Sequence, residues 1–234
     1  MNYLITGGNR GLGLCLVDIV LKAGHRVFVS IRNVEEKNQE LVNLQENYPE
    51  TLNILHIDVK DEELVKKASA KLAGLHIKLD CIINNAGAIK GRESSITDLI
   101  IEDLETIVNV NTFGPMRVVK YFLPLLNKDS GQSSIINISS DAASLSKPFD
   151  RDYPYGISKS ALNMFTIKLR KELQNEGISV LAVHPGWMRT DMGGSEAAMD
   201  PQEAASSIYK LIEKGIVHDI AHILVNHRGE HMDL

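Results

Sequence analysis

Seven short apolar runs alternate with seven segments of helical periodicity along the 234-residue chain, and this alternation narrows its fold more than any other feature. The runs, read as strands, are Tyr3–Thr6, Arg26–Ser30, Asn53–Ile57, Asp80–Asn84, Ser134–Ser139, Ser179–His184 and His222–Val225. The segments between and beyond them, read as helices, are Leu12–Ala23, Glu35–Asn47, Glu62–Ala73, Asp98–Asn109, Thr112–Leu126, Pro154–Gln174 and Pro201–Lys214. Runs such as Ser-Ile-Ile-Asn-Ile-Ser are apolar nearly throughout, which is expected when helices cover both faces of a sheet. The pattern predicts an α/β fold with a doubly wound, seven-stranded parallel sheet of the Rossmann type. Punctuation agrees: Gly24 and Gly177 are placed to end helices, Thr97-Asp98 to cap one, and Pro154 and Pro201 to occupy first helical turns. No repeat or linker divides the chain, so residues 1–234 read as one domain.

Bulk properties restrict the partners. A net charge of -5 argues against nucleic acid. No stretch reaches the roughly 20 apolar residues of a membrane helix. The opening residues, Met1 to Thr6, lack a basic region and run at once into Gly7-Gly8, unlike a signal peptide. The two cysteines, Cys15 and Cys81, lie far apart in apolar surroundings and read as free thiols. A cytoplasmic protein acting on a small molecule is the expectation.

The first strand runs into Thr6-Gly7-Gly8-Asn9-Arg10-Gly11-Leu12-Gly13 and then a helix. Glycines let a backbone turn sharply and approach a pyrophosphate, and the helix start offers free N–H groups. The spacing Gly7, Gly11, Gly13 differs from the usual G-x-G-x-x-G, and a plain strand-to-helix turn is the alternative. A fold that binds NAD usually ends its second strand in a carboxylate. Here that strand leaves as Val29-Ser30-Ile31-Arg32-Asn33. Arg10 and Arg32 are placed to meet a 2′-phosphate, with Ser30 adding a hydroxyl, so the expected cofactor is NADP(H).

Of the six tyrosines only Tyr155 has a lysine, Lys159, four residues on, which puts both on one helix face. Together with Thr6-Gly-x-x-x-Gly11-x-Gly13, Asp58-Val59, Asn84-Asn85-Ala86-Gly87, Asn111, Asn137-Ile-Ser-Ser140 and Pro185-Gly186 with Thr190, the pair resembles the short-chain dehydrogenase/reductase family in its single-domain form. The segments Phe113 to Arg117 and His184 to Gly194 resemble its C-factor and sniffer-type carbonyl reductase branch.

The resemblance implies hydride transfer between the nicotinamide and a carbonyl or alcohol, with Asn111, Ser140, Tyr155 and Lys159 as catalytic residues. Tyr155 would exchange the proton, its pKa lowered by Lys159 and the oxidised cofactor. Ser140 would hold the substrate oxygen, and Asn111 a water leading from Lys159 to solvent. Ser139 is the alternative serine, because the segment Leu145–Tyr153 lengthens the usual spacing to Tyr155. The cofactor would lie against Gly7, Asn9, Arg10, Gly11, Leu12, Gly13, Arg32, Asp58, Val59, Asn85, Ala86, Gly87, Tyr155, Lys159, Pro185, Gly186, Trp187 and Thr190. A homodimer or homotetramer paired through the two long helices is also implied.

Other features are read more plainly. His218, His222, His227 and His231 crowd the end of the sequence, but a strand and a turn should separate them, so no metal is expected. Trp187 lines the pocket or simply packs, and Lys66-Lys67 is a solvated helix face. Gly193-Gly194 are placed to hinge the short Asp191–Asp200 segment over an open site. The tail, Arg228–Leu234, departs from the apolar-aromatic ending of the branch. Two rivals stand against a reductase. One is a cofactor-binding sensor of the C-factor type with little catalysis; it has no need of Tyr155 and Lys159 in register. The other is an epimerase or dehydratase relative, whose extra substrate domain does not fit in the residues after Asp191.

Overall fold

A computed structural model describes residues 1–128, 131–215, 217 and 222–234. Among the described residues seven strands form one sheet: β1 (Asn2–Thr6), β2 (Arg26–Ile31), β3 (Leu52–His56), β4 (Cys81–Asn84), β5 (Ser133–Ile138), β6 (Ile178–His184) and β7 (Leu224–Asn226). Their order is β3-β2-β1-β4-β5-β6-β7, and every neighbouring pair is parallel. The helices are α1 (Gly11–Lys22), α2 (Gln39–Asn47), α3 (Glu62–Gly74), α4 (Ile101–Val108), α5 (Gly114–Phe122), α6 (Tyr153–Leu173) and α7 (Pro201–Glu213).

The period of two along each strand divides its side chains between two cores. Tyr3 and Ile5 of β1 join one core with Leu16, Val17 and Val20 of α1 and Ile208 of α7. Leu4 joins the other, with Val118 and Phe122 of α5 and Leu169 of α6. The chain order reverses between β1 and β4, which opens a crevice at the carboxyl ends of those two strands, where an open α/β sheet binds ligands.

Several expected boundaries move, each for a local reason. α2 begins at Gln39 rather than Glu35, because the Asn38 side chain caps it by accepting the Glu40 N–H at 2.7 Å. Thr97-Asp98 does not cap α4, which starts at Ile101; both side chains instead meet the Ser95 hydroxyl in a turn of their own. The expected helix Thr112–Leu126 is broken at both ends, by a π turn over Asn109–Phe113 that joins α4 to α5 and by a 3₁₀ turn, Leu123–Leu125, containing Pro124. Gly24 follows the end of α1 with φ 84°, as expected, whereas Gly177, with φ 68°, serves the turn into β6. β7 starts at Leu224, two residues after His222. The tail folds back on β7, with the Met232 N–H donating to Leu224 at 3.0 Å, and then reaches Ser146, whose N–H donates to the Leu234 carbonyl at 3.3 Å. No described helix is long and apolar enough to cross a membrane.

Candidate active site

The glycine loop is held from below and from both sides. Gly7 and Gly8 both donate N–H to the Ser30 carbonyl, at 3.1 and 3.2 Å. The Ser30 hydroxyl is buried and accepts a further bond from the Gly7 N–H at 3.3 Å, so it belongs to the loop and not to an exposed phosphate pocket as expected. Thr6 Oγ1 accepts the N–H groups of Asn85 and Ala86, both at 3.0 Å, which stitches β1 to the segment after β4. The Asn85 side chain returns the bond, donating to the carbonyls of Thr6 and Gly7 at 2.9 and 3.1 Å. Gly13 backs onto this cluster: a Cβ there would lie 2.3 Å from the Gly7 oxygen and 2.5 Å from Asn85 Nδ2.

These residues fit a dinucleotide phosphate. α1 has neither a side-chain cap nor an acid in its first turn, so the N–H groups of Gly11, Leu12 and Gly13 point out of the helix end. Asn9 ties the loop to the segment after β2, donating to the Glu36 carbonyl at 2.9 Å and accepting the Asn38 N–H at 2.8 Å. Arg32, on that segment, is exposed and makes no ion pair among the described residues. Arg10 is turned the other way, onto Asp191 at 2.5 Å, so the two arginines do not converge in the chain alone. Asp58 accepts the Lys60 N–H at 2.9 Å, and the buried Val59 offers its carbonyl to Arg117 at 3.2 Å.

The second group gathers where β5 meets α6. Ser139 and Ser140 face different ways. The Ser139 hydroxyl is buried and donates to Asn163 Oδ1 at 2.7 Å. Ser140 caps the short turn Asp141–Ala143, accepting the Ala142 N–H at 3.1 Å, and its hydroxyl lies beside the Tyr155 phenol. Gly156 permits this approach, since a Cβ there would already stand 3.1 Å from the Ala142 carbonyl. Lys159 is buried, with its ammonium 5.6 Å from the centre of the Tyr155 ring and donating to the Ile138 carbonyl at 2.7 Å.

Burial dominates the titration of this pair. It pushes the Tyr155 phenol up to about 12, with the Ser140 hydroxyl pulling the other way, and it pushes Lys159 down to about 8. The expected lowering of the phenol by Lys159 is therefore not a property of the chain alone.

Asn111 sits in the π turn, and its side chain is fully committed. It accepts the Ala88 N–H at 2.8 Å and donates to the Ala88 carbonyl and the Ser158 hydroxyl at 2.9 and 3.0 Å. Ser158 in turn donates to the Tyr155 carbonyl at 2.7 Å. A continuous path thus joins the segment after Gly87 to the turn that carries Tyr155.

The loop after β6 lies against the glycine loop. Gly186 has φ 94°, and a Cβ on it would meet Met199 at 2.9 Å. Pro185 precedes it, and Trp187 follows with its indole N–H on the Gly193 carbonyl at 2.8 Å. Thr190 reaches back over the glycine loop, its methyl 3.4 Å from where a Gly11 Cβ would be. Of the histidines, His222 lies against His231 with ring centres 3.9 Å apart and planes tilted by 43°, whereas His227 is buried beside Gly186; His218 lies outside the described residues. Among the described residues no three His, Cys, Asp or Glu side chains converge as metal ligands.

Three elements of the site had no distinguishing signal in the sequence. Ser158 looks like an ordinary small polar residue until its partners are known. Asp141 follows Ser140 directly, yet adjacency gave no reason to single it out. Asp152, buried and left-handed at φ 49°, pairs with Arg92 at 3.3 Å just ahead of Tyr155.

Residues 2–201 match the family pattern described as short chain dehydrogenase. Estradiol 17-beta-dehydrogenase 2 of Rattus norvegicus is 32% identical over 203 residues, which are 86% of this chain and 51% of that protein. The chain thus spans about half the length of the curated relatives it matches first. Serine 3-dehydrogenase of Agrobacterium fabrum is 29% identical over 94% of this chain and 85% of its own. Among solved structures, the carbonyl reductase Sniffer of D. melanogaster superposes with a TM-score of 0.89 at 33% identity, over 100% of this chain and 99% of that one. An NADPH-bound carbonyl reductase from chicken fatty liver superposes with a TM-score of 0.88 at 28% identity, over 100% and 94%.

Proposed function

The chain belongs to the short-chain dehydrogenase/reductase family, and on that premise we propose that it is an NADP(H)-dependent carbonyl reductase with Tyr155 as its acid/base. The observation that carries the reading is the convergence, at the carboxyl end of β5, of the Tyr155 phenol with the Ser140 hydroxyl and the Lys159 ammonium. NADP(H), when bound, would supply the hydride and, in its oxidised form, a positive charge. Ser140 and Tyr155 then hold the substrate oxygen from two sides and stabilise the charge that develops on it. Tyr155 gives its proton to that oxygen, and Lys159 replenishes it. Asn111 has no side-chain hydrogen left to donate, and its side chain acts by positioning Ser158 and, through it, Tyr155.

The choice of Ser140 over Ser139 rests on what each hydroxyl touches. Ser140→Ala is expected to lower kcat/KM about 100-fold, the usual loss of one oxyanion donor. Ser139→Ala should instead cost about 1–3 kcal/mol of stability, by leaving Asn163 without its buried donor. Kinetics and thermal melts of both variants decide the matter; the reverse pattern would exchange the two assignments.

Cofactor choice rests on Arg32, which stands exposed and without an ion pair among the described residues at the end of β2, where a carboxylate would select NAD. NADPH is expected to exceed NADH in kcat/KM by about 10- to 100-fold, as a charge-assisted bond to the 2′-phosphate implies. Arg32→Asp should invert that ratio. Equal use of both cofactors by the unaltered protein would defeat the NADP(H) assignment. The reading takes residues 1–234 as one cytoplasmic cofactor-binding domain, in a homodimer or homotetramer, acting on a small carbonyl or alcohol. A sensor without catalysis is disfavoured by the working register of Tyr155, Ser140 and Lys159, and turnover of simple ketones with NADPH separates the two.

A further inference from the structure

Asp141 places a carboxylate at the mouth of the site. Its Oδ1 accepts the Ser140 hydroxyl at 2.9 Å and the Ala142 N–H at 3.0 Å. Its side chain is 46% exposed, and Oδ2 has no bond among the described residues. His184 stands 3.8 Å away but does not neutralise it: His184 Nδ1 accepts the N–H of Asp141 itself at 3.2 Å, so that nitrogen carries no proton, and burial holds the imidazole below its usual pKa. The other charges near Tyr155 are already matched or enclosed. Arg92 is paired with the buried Asp152, and the Lys159 ammonium is enclosed against the Ile138 carbonyl. Among the described residues, Asp141 therefore stands beside the Ser140 hydroxyl as an unpaired carboxylate.

The hydrogen bond to Ser140 fixes how close that charge is. A substrate oxygen held by Ser140 must take the same hydroxyl proton that Asp141 Oδ1 now receives, so substrate oxygen and Asp141 carboxylate are neighbours around one hydroxyl. A group a few bonds from the reacting carbon lies within a short Coulomb range of Oδ2. We propose that Asp141 is the specificity-determining residue of this site, selecting carbonyl or alcohol substrates that carry a cationic amine near the reacting carbon and rejecting those that carry a carboxylate. The inference rests on the reductase reading above and deepens it.

Three methyl ketones of equal length test it, ending in a trimethylammonium, a methyl and a carboxylate group. With NADPH and the unaltered protein, kcat/KM should fall in that order, with the cation about tenfold above the anion at low salt and the gap narrowing as salt is added. Asp141→Asn keeps the acceptor for Ser140 and Ala142 while removing the charge, and should bring the cation-to-anion ratio near one. Asp141→Glu should restore the preference. The ratio within each variant is the readout, so a general loss of activity does not obscure it. A ratio unchanged in Asp141→Asn, or a carboxylate preference in the unaltered protein, overturns the inference while leaving the reductase reading intact. Failure of the unaltered protein to reduce the neutral ketone overturns the reductase reading, and this inference with it.

Discussion

Replacing Tyr155 with Phe is expected to lower kcat for ketone reduction about 10³-fold, the middle of the range for a lost general acid, while NADPH still binds. The ring is buried and packed, and Phe keeps its shape, so the change removes only the hydroxyl beside Ser140. Cofactor binding measured by fluorescence or calorimetry, alongside turnover, separates lost chemistry from lost binding; normal turnover would refute the assignment. The same site predicts a pH dependence. Burial, against the opposing pull of the Ser140 hydroxyl, pushes the phenol up to about 12, so it stays protonated, and able to donate, across the neutral range. Lys159, held down to about 8, is charged below that pH and neutral above it. The reductive kcat should stay level up to about pH 8 and decline beyond it, as the ammonium that refills the phenol is lost. A rate that climbs through that window would contradict the role given to Lys159.

Gly13→Ala should have a large effect on the fold. The added methyl would enter within 2.3 Å of the Gly7 carbonyl and 2.5 Å of Asn85 Nδ2, both anchored, one as main chain and the other by two hydrogen bonds. Overpacking of this kind costs about 3 kcal/mol, which in a chain of this size lowers Tm by about 6–12 °C. It should also abolish NADPH binding, because the methyl pries the glycine loop from the segment after β4. Gly74→Ala is the control. Nothing lies within 4 Å of its Cβ and it sits in α3, so Ala there should be neutral or stabilise by up to about 1 kcal/mol. Similar melting points for the two variants would show that the glycine loop is not packed as described.

The fold was legible because its signals are local. Apolar runs of strand length, broken by glycine and separated by amphipathic helices, admit few arrangements other than a parallel doubly wound sheet. Boundaries are less legible where a single side-chain bond decides them. Asn38 shortens α2, and Ser95 draws Thr97 and Asp98 away from α4. Arg10 and Arg32 were expected to converge because both flank the phosphate end in sequence, but Asp191, 181 residues from Arg10, claims the first of them. Nothing in the local sequence around Arg10 could reveal that partner.

The sheet, the glycine loop and the pairing of Tyr155 with Lys159 are legible in the sequence, because periodicity and a four-residue helical spacing act over short stretches of chain. Which serine faces the phenol, and that Arg32 and Asp141 lack a neutralising partner among the described residues, emerge only in three dimensions. Each of those depends on direction and burial, which arise when β5, α6 and the loop after β6 are brought together from distant parts of the chain. The titration of Tyr155 and Lys159 belongs to the same class, since burial, not the neighbouring residue in sequence, sets both.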